Sequence, residues 1–442
     1  MEINVNKVID DAKINPFIMR VAIICCLCAI IEGYEMIVLG MIIPNMARDW
    51  GLKPQDFQLA QLAVLVGILL GSILAGVMSD KIGRKNTILI MFGMGVVGIG
   101  LSIFIQEMWQ LVALRLFTGI GAGGSLPIAL ALVSEYGPRR YRNLLIVFVF
   151  AGAPLATTVG GFGGPFFLSN YGWQGMFIFG LAMALPLWII MFFLLPDSIK
   201  YLVSQGGSSE RKARELLTKV SPELEMANTD LLVIHEEKLE KSPIRELFMH
   251  GRAITTLLLW LAFVGGQFIV YFVSLWLPTV LQASGWEQDT SLRAIGQYYL
   301  GGSIGALLVG YFQDRFGVAR VLTIAFPVGA VLYFVLGQVV DNPELWFTIA
   351  PFAGAIAVGA ILGKAPLAAS LYPTTMRGTG VGTAMGIGRV GSLITPPIGA
   401  ALIAGGITAS QFFYVTAIAP LLSALAIFII LVITRRQRRE ER

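Results

Sequence analysis

Five ionisable residues stand inside stretches of otherwise apolar sequence: Glu32, Glu35, Arg115, Lys364 and Arg389. An ionised side chain in hydrocarbon is costly unless it is paired or hydrated, so each is a functional candidate. Glu32 and Glu35 are three positions apart in a helix-forming stretch, which puts both carboxylates on one face. Two carboxylates so close cannot both stay ionised cheaply at low dielectric, and one is suited to take up and release a proton. Arg115 lies about five residues into its own apolar stretch, at a depth similar to Glu35 for about 1.5 Å of rise per residue. An ion pair between the two stretches is expected, with Arg115 holding one glutamate charged while the other carries the proton. A static cluster that only orients one segment against the other is the structural alternative.

The remaining two cations suit an anionic ligand. Arg389 sits near the middle of a glycine-rich stretch, and a guanidinium can grip a carboxylate through two parallel hydrogen bonds. The alternative is bonding to the carbonyls of a broken helix. Lys364 either binds ligand or snorkels towards the nearer interface. Tyr34, Gln267 and Tyr271 offer stacking and hydrogen bonds to a ring-shaped ligand, with Gln267 and Tyr271 four apart on one helical face, or they simply pack. The five charges sum to +1 with both glutamates ionised, which a monoanion cancels, and to +2 with one protonated, which a dianion cancels.

The elements that hold these residues follow from composition. The chain has 442 residues, 56% apolar and only 13% charged, against roughly a quarter charged in soluble domains. Twelve apolar blocks can be drawn, at 18–43, 57–79, 87–105, 110–134, 144–168, 173–195, 253–283, 292–312, 321–340, 346–372, 379–404 and 410–434. Each is near or above the roughly 20 residues that span a bilayer's hydrocarbon. An all-α membrane protein with twelve transmembrane helices is expected. Continuous apolar runs exclude a transmembrane barrel.

Only Arg48, Lys53 and Arg293, the last at the edge of its block, fall on one side; every other basic residue outside the blocks falls on the opposite side. The positive-inside rule makes that side cytoplasmic, with both termini there. The +5 net charge is thereby a topology signal, and nucleic-acid binding is a poor reading of it. The first block lacks a small-residue cleavage site and reads as a retained helix. Cys25, Cys26 and Cys28 crowd that helix and imply neither a disulfide nor a zinc site. No asparagine glycosylation sequon occurs, which fits a bacterial inner membrane.

An internal repeat divides the chain. The pattern G-x-x-x-D-[KR]-x-G occurs at Gly76–Gly83 and again at Gly310–Gly317, 234 residues on; Ser134-Glu135-Tyr136 and Ser370-Leu371-Tyr372 repeat at 236. Two six-helix halves related by duplication are expected, residues 1–195 and 253–434, with a basic tail at 435–442. The polar stretch 196–252 reads as a cytoplasmic linker, and its Ala213, Leu216, Leu217 and Val220 suit an amphipathic helix on the membrane surface. Asp80, Arg84, Glu135, Asp314, Arg315 and Arg377 mark cytoplasmic helix ends, where charge pairs can hold an inner gate or merely signal topology.

The duplicated loop motif resembles that of the major facilitator superfamily. A closer resemblance is to its aromatic acid:proton symporter family, whose first helix carries D-G-[YF]-D where this chain reads Glu32-Gly33-Tyr34-Glu35. Further matching stretches are Arg115 to Gly121, Ser134-Glu135-Tyr136 with Arg139, Ser274 to Pro278, and Tyr372-Pro373-Thr374 through Arg377 to Gly391. The departures are glutamate for aspartate twice and Lys364 where the family usually has a neutral residue. The resemblance implies two pseudo-symmetric six-helix bundles, a transport role for Glu32, Glu35 and Arg115, a cavity lined by the helices that carry Tyr34, Gln267 and Tyr271, and gating by the loop charges. It implies proton-coupled uptake of an organic acid anion, an aromatic carboxylate or related diacid, with no cofactor.

Rivals within the superfamily are an exporter, which Gly152, Gly160 and Gly164-Pro165 loosely suggest, and a sugar porter, suggested by Pro196 to Leu202. No phosphate-binding G-x-x-x-x-G-K-[ST] loop is present, and His235 and His250 lie in the linker, so neither a nucleotide-driven pump nor an enzyme is expected. Twelve spans suffice for a path through one chain, so a monomer is sufficient.

Overall fold

A computed structural model of the chain describes residues 2–224, 231–234, 244–249, 251–373 and 376–440. A short strand β1 (Glu2–Asn4) leads into α1 (Val5–Asp11), then α2 (Pro16–Trp50), α3 (Gln58–Ile82), α4 (Arg84–Ser102), α5 (Met108–Tyr136), α6 (Arg142–Phe150) and α7 (Gly152–Leu194). The linker holds α8 (Ile199–Gln205), α9 (Ser208–Val220) and strand β2 (Leu231–Val233). The second half holds α10 (Ala253–Ala283), α11 (Gln288–Phe316), α12 (Val318–Gln338), α13 (Pro343–Leu362), α14 (Lys364–Leu371), α15 (Arg377–Leu393), α16 (Thr395–Ala404) and α17 (Ala409–Glu440). Helices dominate because each satisfies its own backbone hydrogen bonds, which lipid cannot do.

Among the described residues, ten helical segments are long and apolar enough to cross a membrane. One, Arg142–Leu194, runs 53 residues and turns back at Gly172, whose φ of 63° and ψ of −160° end one crossing and start the next. Glycine alone takes that conformation cheaply. α11 falls outside the ten because Asp289, Arg293, Gln297, Gln313, Asp314 and Arg315 dilute it, yet its 29 residues reach about 44 Å. Splitting the long segment and adding α11 gives the expected twelve.

Two spans are broken. Span ten breaks at Gly363, between α13 and α14, where the Gln313 amide donates to the freed Gly363 carbonyl at 3.1 Å. Span eleven breaks at Ile394, and Pro396 and Pro397 then open α16 where their missing N–H groups cost nothing.

By internal packing the chain forms two compact units. The first comprises Met1–Val38, Ala63–Ala156 and Phe167–Lys238; the second comprises Leu39–Leu62, Thr157–Phe166 and Leu239–Arg442. Each carries the same glycine clamp. In the first, Gly67 and Gly71 of α3 press on the backbone of Leu116 and Ile120 in α5, leaving no room for a side chain. In the second, Gly301 and Gly305 of α11 do so against Pro351 and Ala355 in α13. Both pairs are 234 positions apart, the offset of the loop motif. The motif's last glycines match as well, with φ of 87° at Gly83 and 89° at Gly317.

The linker differs from the expectation for it. Ala213, Leu217 and Val220 of α9 are buried, and α1 packs against this helix, so protein rather than lipid covers its apolar face. The Asn15 side chain donates to the Lys219 and Val220 carbonyls at 2.9 Å, ending α9. β1 pairs in parallel with β2, Ile3 opposite Leu232, a pairing with no signal in the sequence pattern.

The clamps predict opposite effects for two kinds of glycine. Overpacking by valine at Gly71 or Gly305 should cost about 1–3 kcal/mol or more. A lower melting temperature in detergent and less monodisperse protein are expected. Alanine at Gly76 or Gly310, where an added Cβ meets nothing within 4 Å, should leave melting at or above that of the parent.

Candidate functional site

The α2 carboxylates are buried, Glu32 at 2% exposure and Glu35 at 3%. Glu32 Oε1 accepts from the Ser125 hydroxyl of α5 and from the Cys28 thiol, one turn back in α2, at 3.4 Å. Glu35 lies against Gly95 of α4, where a methyl group would sit 2.9 Å from its Oε1. Glu32, Glu35 and Ser125 line a small cavity of about 10 Å³, closed by Ile31, Phe92, Gly95, Val96, Ala122 and Ala184. That is about the space of one water molecule. Glu32 Oε2 and Glu35 Oε1 have no hydrogen-bond partner.

Arg115 is brought to this pair by α5, but the expected ion pair is not formed. Its Nη2 donates to the backbone carbonyls of Glu35 at 2.5 Å and Met36 at 3.4 Å. Among the described residues no carboxylate lies within 4.0 Å of its guanidinium nitrogens. A helical carbonyl keeps a second lone pair after its own ladder bond, and the arginine takes that one. It therefore ties α5 to the α2 backbone and forms no ion pair with either carboxyl group, although its charge still acts on Glu35.

Tyr34 is committed elsewhere. Its hydroxyl donates to the Met176 carbonyl of α7 at 2.7 Å, and its ring meets Phe179 edge-on with centroids 5.7 Å apart. The packing alternative describes it. Ser125, Cys28 and Gly95 escaped sequence reading. Cys28 was findable, four residues before Glu32 on the same helical face.

In the second unit, Arg389 of α15 is carried to α10 by Gly388 and Gly391, which press on Phe263 and on the Val264 and Phe268 backbone. Arg389 Nη1 is buried with no hydrogen-bond partner. The carbonyl-bonding alternative is thus not taken up by that nitrogen. Its charge acts on the Tyr271 hydroxyl, one turn beyond the half-buried Gln267. Beyond them, Tyr299 donates to the Val270 carbonyl at 2.8 Å and shares a hydrogen bond with Ser274 at 2.5 Å.

Lys364 does not snorkel. It is 1% exposed, at the break between α13 and α14, and its ammonium donates to the Ala262 carbonyl at 2.8 Å. The same nitrogen lies 4.9 Å from the Phe263 ring centroid, a cation–π contact. It fits only because Gly266 has no side chain in its way.

The six loop charges divide unequally. Arg84 donates to Asp80 at 3.1 Å, to Glu135 at 3.3 Å and to the Ser79 carbonyl at 3.0 Å. Asp197, absent from the sequence-based gate, joins them by accepting from the Lys85 and Ser198 backbone N–H groups at 3.2 and 2.8 Å. Its own carbonyl accepts from Tyr136 at 2.6 Å. By contrast Asp314, Arg315 and Arg377 are exposed, and among the described residues none forms an ion pair. Arg315 stacks over Phe316 instead, 5.6 Å from its centroid. The second motif lacks an arginine at the Arg84 position, where Val318 stands, so no cation occupies the place from which Arg84 gathers the charges. His235, His250 and Thr374 lie outside the described residues.

Comparison with known proteins places this geometry. A family model described as Major Facilitator Superfamily matches residues 25–298 and 290–442. The gallate transporter of Pseudomonas putida is 30% identical over 426 residues, covering 96% of this chain and 94% of that protein. The 4-hydroxybenzoate transporter PcaK of Acinetobacter baylyi is 30% identical over 434 residues, covering 97% and 94%. The benzoate transport protein of the same organism is 29% identical over 442 residues, covering 97% and 93%. Among solved structures, the D-xylose-proton symporter superposes with a TM-score of 0.70 at 16% identity, over 94% of this chain and 97% of that one. That likeness shows the fold alone.

The unequal loop networks predict unequal costs. Arg84→Ala removes the bonds to Asp80, Glu135 and Ser79 from a half-buried cluster and should lower the melting temperature by several degrees, about 1–2 kcal/mol. Arg315→Ala removes an exposed contact and should change melting little. Differential scanning fluorimetry in detergent checks the contrast.

Proposed function

This chain belongs to the major facilitator superfamily, and we propose that within it the protein is a proton-coupled symporter importing an aromatic carboxylate across the bacterial inner membrane. The observation that carries the reading is the pair of buried carboxyl groups, Glu32 and Glu35, on one cavity, each with an oxygen that has no hydrogen-bond partner. Groups so placed gain or lose a proton at lower cost than they would bear a permanent charge, which suits them to carry the coupling ion. Arg115 sets the position of the α2 backbone that bears them. The names of the gallate, 4-hydroxybenzoate and benzoate transporters support an aromatic acid as cargo.

Arg389 is the proposed carboxylate ligand, because its Nη1 is buried and unpartnered beside Tyr271. Gln267 and Tyr271 are proposed to meet the ring and its substituents. Lys364 spends one N–H on Ala262, and its contacts with Phe263 and Gly266 favour a role in joining α14 to α10. That leaves Arg389 alone to receive a carboxylate and favours a monoacid over the diacid that charge counting allowed. Alternating access by two six-helix halves, residues 1–195 and 253–434, cytoplasmic termini and a monomeric unit complete the proposal. The Arg84 cluster is its inner gate; the exposed Asp314, Arg315 and Arg377 contribute to gating only if they find partners in another conformation.

Purified protein in liposomes, given an inward proton gradient, should accumulate benzoate, 4-hydroxybenzoate or gallate and should ignore xylose and muconate. Glu32→Gln and Glu35→Gln should each cut gradient-driven uptake at least about tenfold. Acid uptake indifferent to the gradient would remove the symport mechanism, and preference for muconate would restore the diacid. Arg389→Ala should raise KM about 10- to 100-fold, the loss of about 1.5–3 kcal/mol from a charged hydrogen bond. Arg389→Lys should recover part of it.

A further inference from the structure

The Ser125 hydroxyl stands between two acceptors, Glu32 Oε1 across the helix interface and the Gly121 carbonyl one turn back in its own helix, 3.0 Å away. A hydroxyl has one proton to give and cannot serve both at once. Which acceptor wins depends on Glu32. An ionised carboxylate is much the stronger acceptor, and hydrogen bonds to a charged partner are about twice as strong as neutral ones. A neutral carboxyl group competes poorly with the carbonyl, whose bond to a serine four residues on is a common local arrangement in helices.

We infer that Ser125 is a positioning residue that converts protonation of Glu32 into loss of the side-chain hydrogen bond between α2 and α5, leaving Arg115 as the remaining tie between them. With Glu32 ionised, the Ser125 proton points at Oε1, where the Cys28 thiol also donates, and the two helices are linked. A proton arriving from the bulk binds Oε2, the oxygen without a hydrogen-bond partner, of a residue that shares its cavity with Glu35. Oε1 then loses its negative charge, and the Ser125 proton turns to the Gly121 carbonyl. Ser125 neither gains nor loses a proton; it redirects its own. The side-chain link is thereby broken on protonation and remade on release.

The groups around Glu32 leave the switch to these partners. α2 presents Cys25, Cys28 and Glu35, and α5 presents Ser125 and, toward Glu35, Arg115. α4 and α7 bring only Phe92, Gly95, Val96 and Ala184 to the cavity.

The inference rests on the reading that Glu32 takes the coupled proton. The experiment therefore measures the external-pH midpoint of gradient-driven benzoate uptake into proteoliposomes, a quantity independent of how much protein inserts. Ser125→Ala removes a donor to the ionised form, so protonation persists to higher pH, and the midpoint should move alkaline by about one unit. Ser125→Thr keeps the hydroxyl and should restore the parent midpoint. Cys28→Ser supplies a stronger donor at the same oxygen and should move the midpoint acid. Midpoints unchanged in both Ser125→Ala and Cys28→Ser overturn the inference while leaving proton coupling intact. Parent protein whose uptake ignores the gradient overturns coupling and the inference together.

Discussion

Charge in an apolar interior must be neutralised, shared or made to come and go, and the arrangement around α2 is an answer to that constraint. Arg115 is fully buried and would be expected to seek a carboxylate, yet it spends its bonds on the Glu35 and Met36 carbonyls. Had it paired with either glutamate, that carboxyl group would be held ionised by a partner a few ångströms away and would be a poor proton carrier. Bonding to the backbone achieves helix registration without forming an ion pair with either acid. In the proposed mechanism, titration and positioning thereby fall to different atoms of the same two helices.

That arrangement needs helices at close quarters, and the glycines supply the proximity. Gly67 and Gly71 seat α3 on α5, which carries Arg115 and Ser125, and Gly95 makes room for Glu35 on α4. In the second unit Gly388 and Gly391 bring Arg389 to α10, and Gly266 admits Lys364. Without a hydrophobic force between helices in lipid, such close approach and its dispersion contacts are a principal source of cohesion. Duplication supplied the clamp twice, at the same offset, but the chemistry has diverged. The first unit holds the acids, Arg115 and a connected loop network, while the second holds Lys364, Arg389 and an exposed loop motif.

Much of this was legible in sequence, for definable reasons. Apolar block length gave twelve spans, because the bilayer's thickness imposes it. The turn at Gly172 falls between two blocks drawn at 144–168 and 173–195. The buried charges were visible as single polar letters in apolar runs. Their partners were not, because a helix pattern gives a face but not which donor on a neighbouring helix meets it. The Glu35–Arg115 ion pair was inferred from matched depth, and depth cannot distinguish a carboxylate from a carbonyl of the same residue. Tyr34 likewise lies at the expected level with its hydroxyl turned to Met176. The pairing of β1 with β2 joins residues some 230 positions apart through three-residue strands, too short to leave a periodicity.

The most direct test of the central claim follows the proton itself. In weakly buffered, de-energised right-side-out membrane vesicles, adding 4-hydroxybenzoate should make the external medium alkaline as acid and proton enter together. In vesicles carrying the Glu32→Gln, Glu35→Gln double variant the medium should stay at its starting pH. No alkalinisation with the parent protein, or equal alkalinisation with the double variant, would contradict the account.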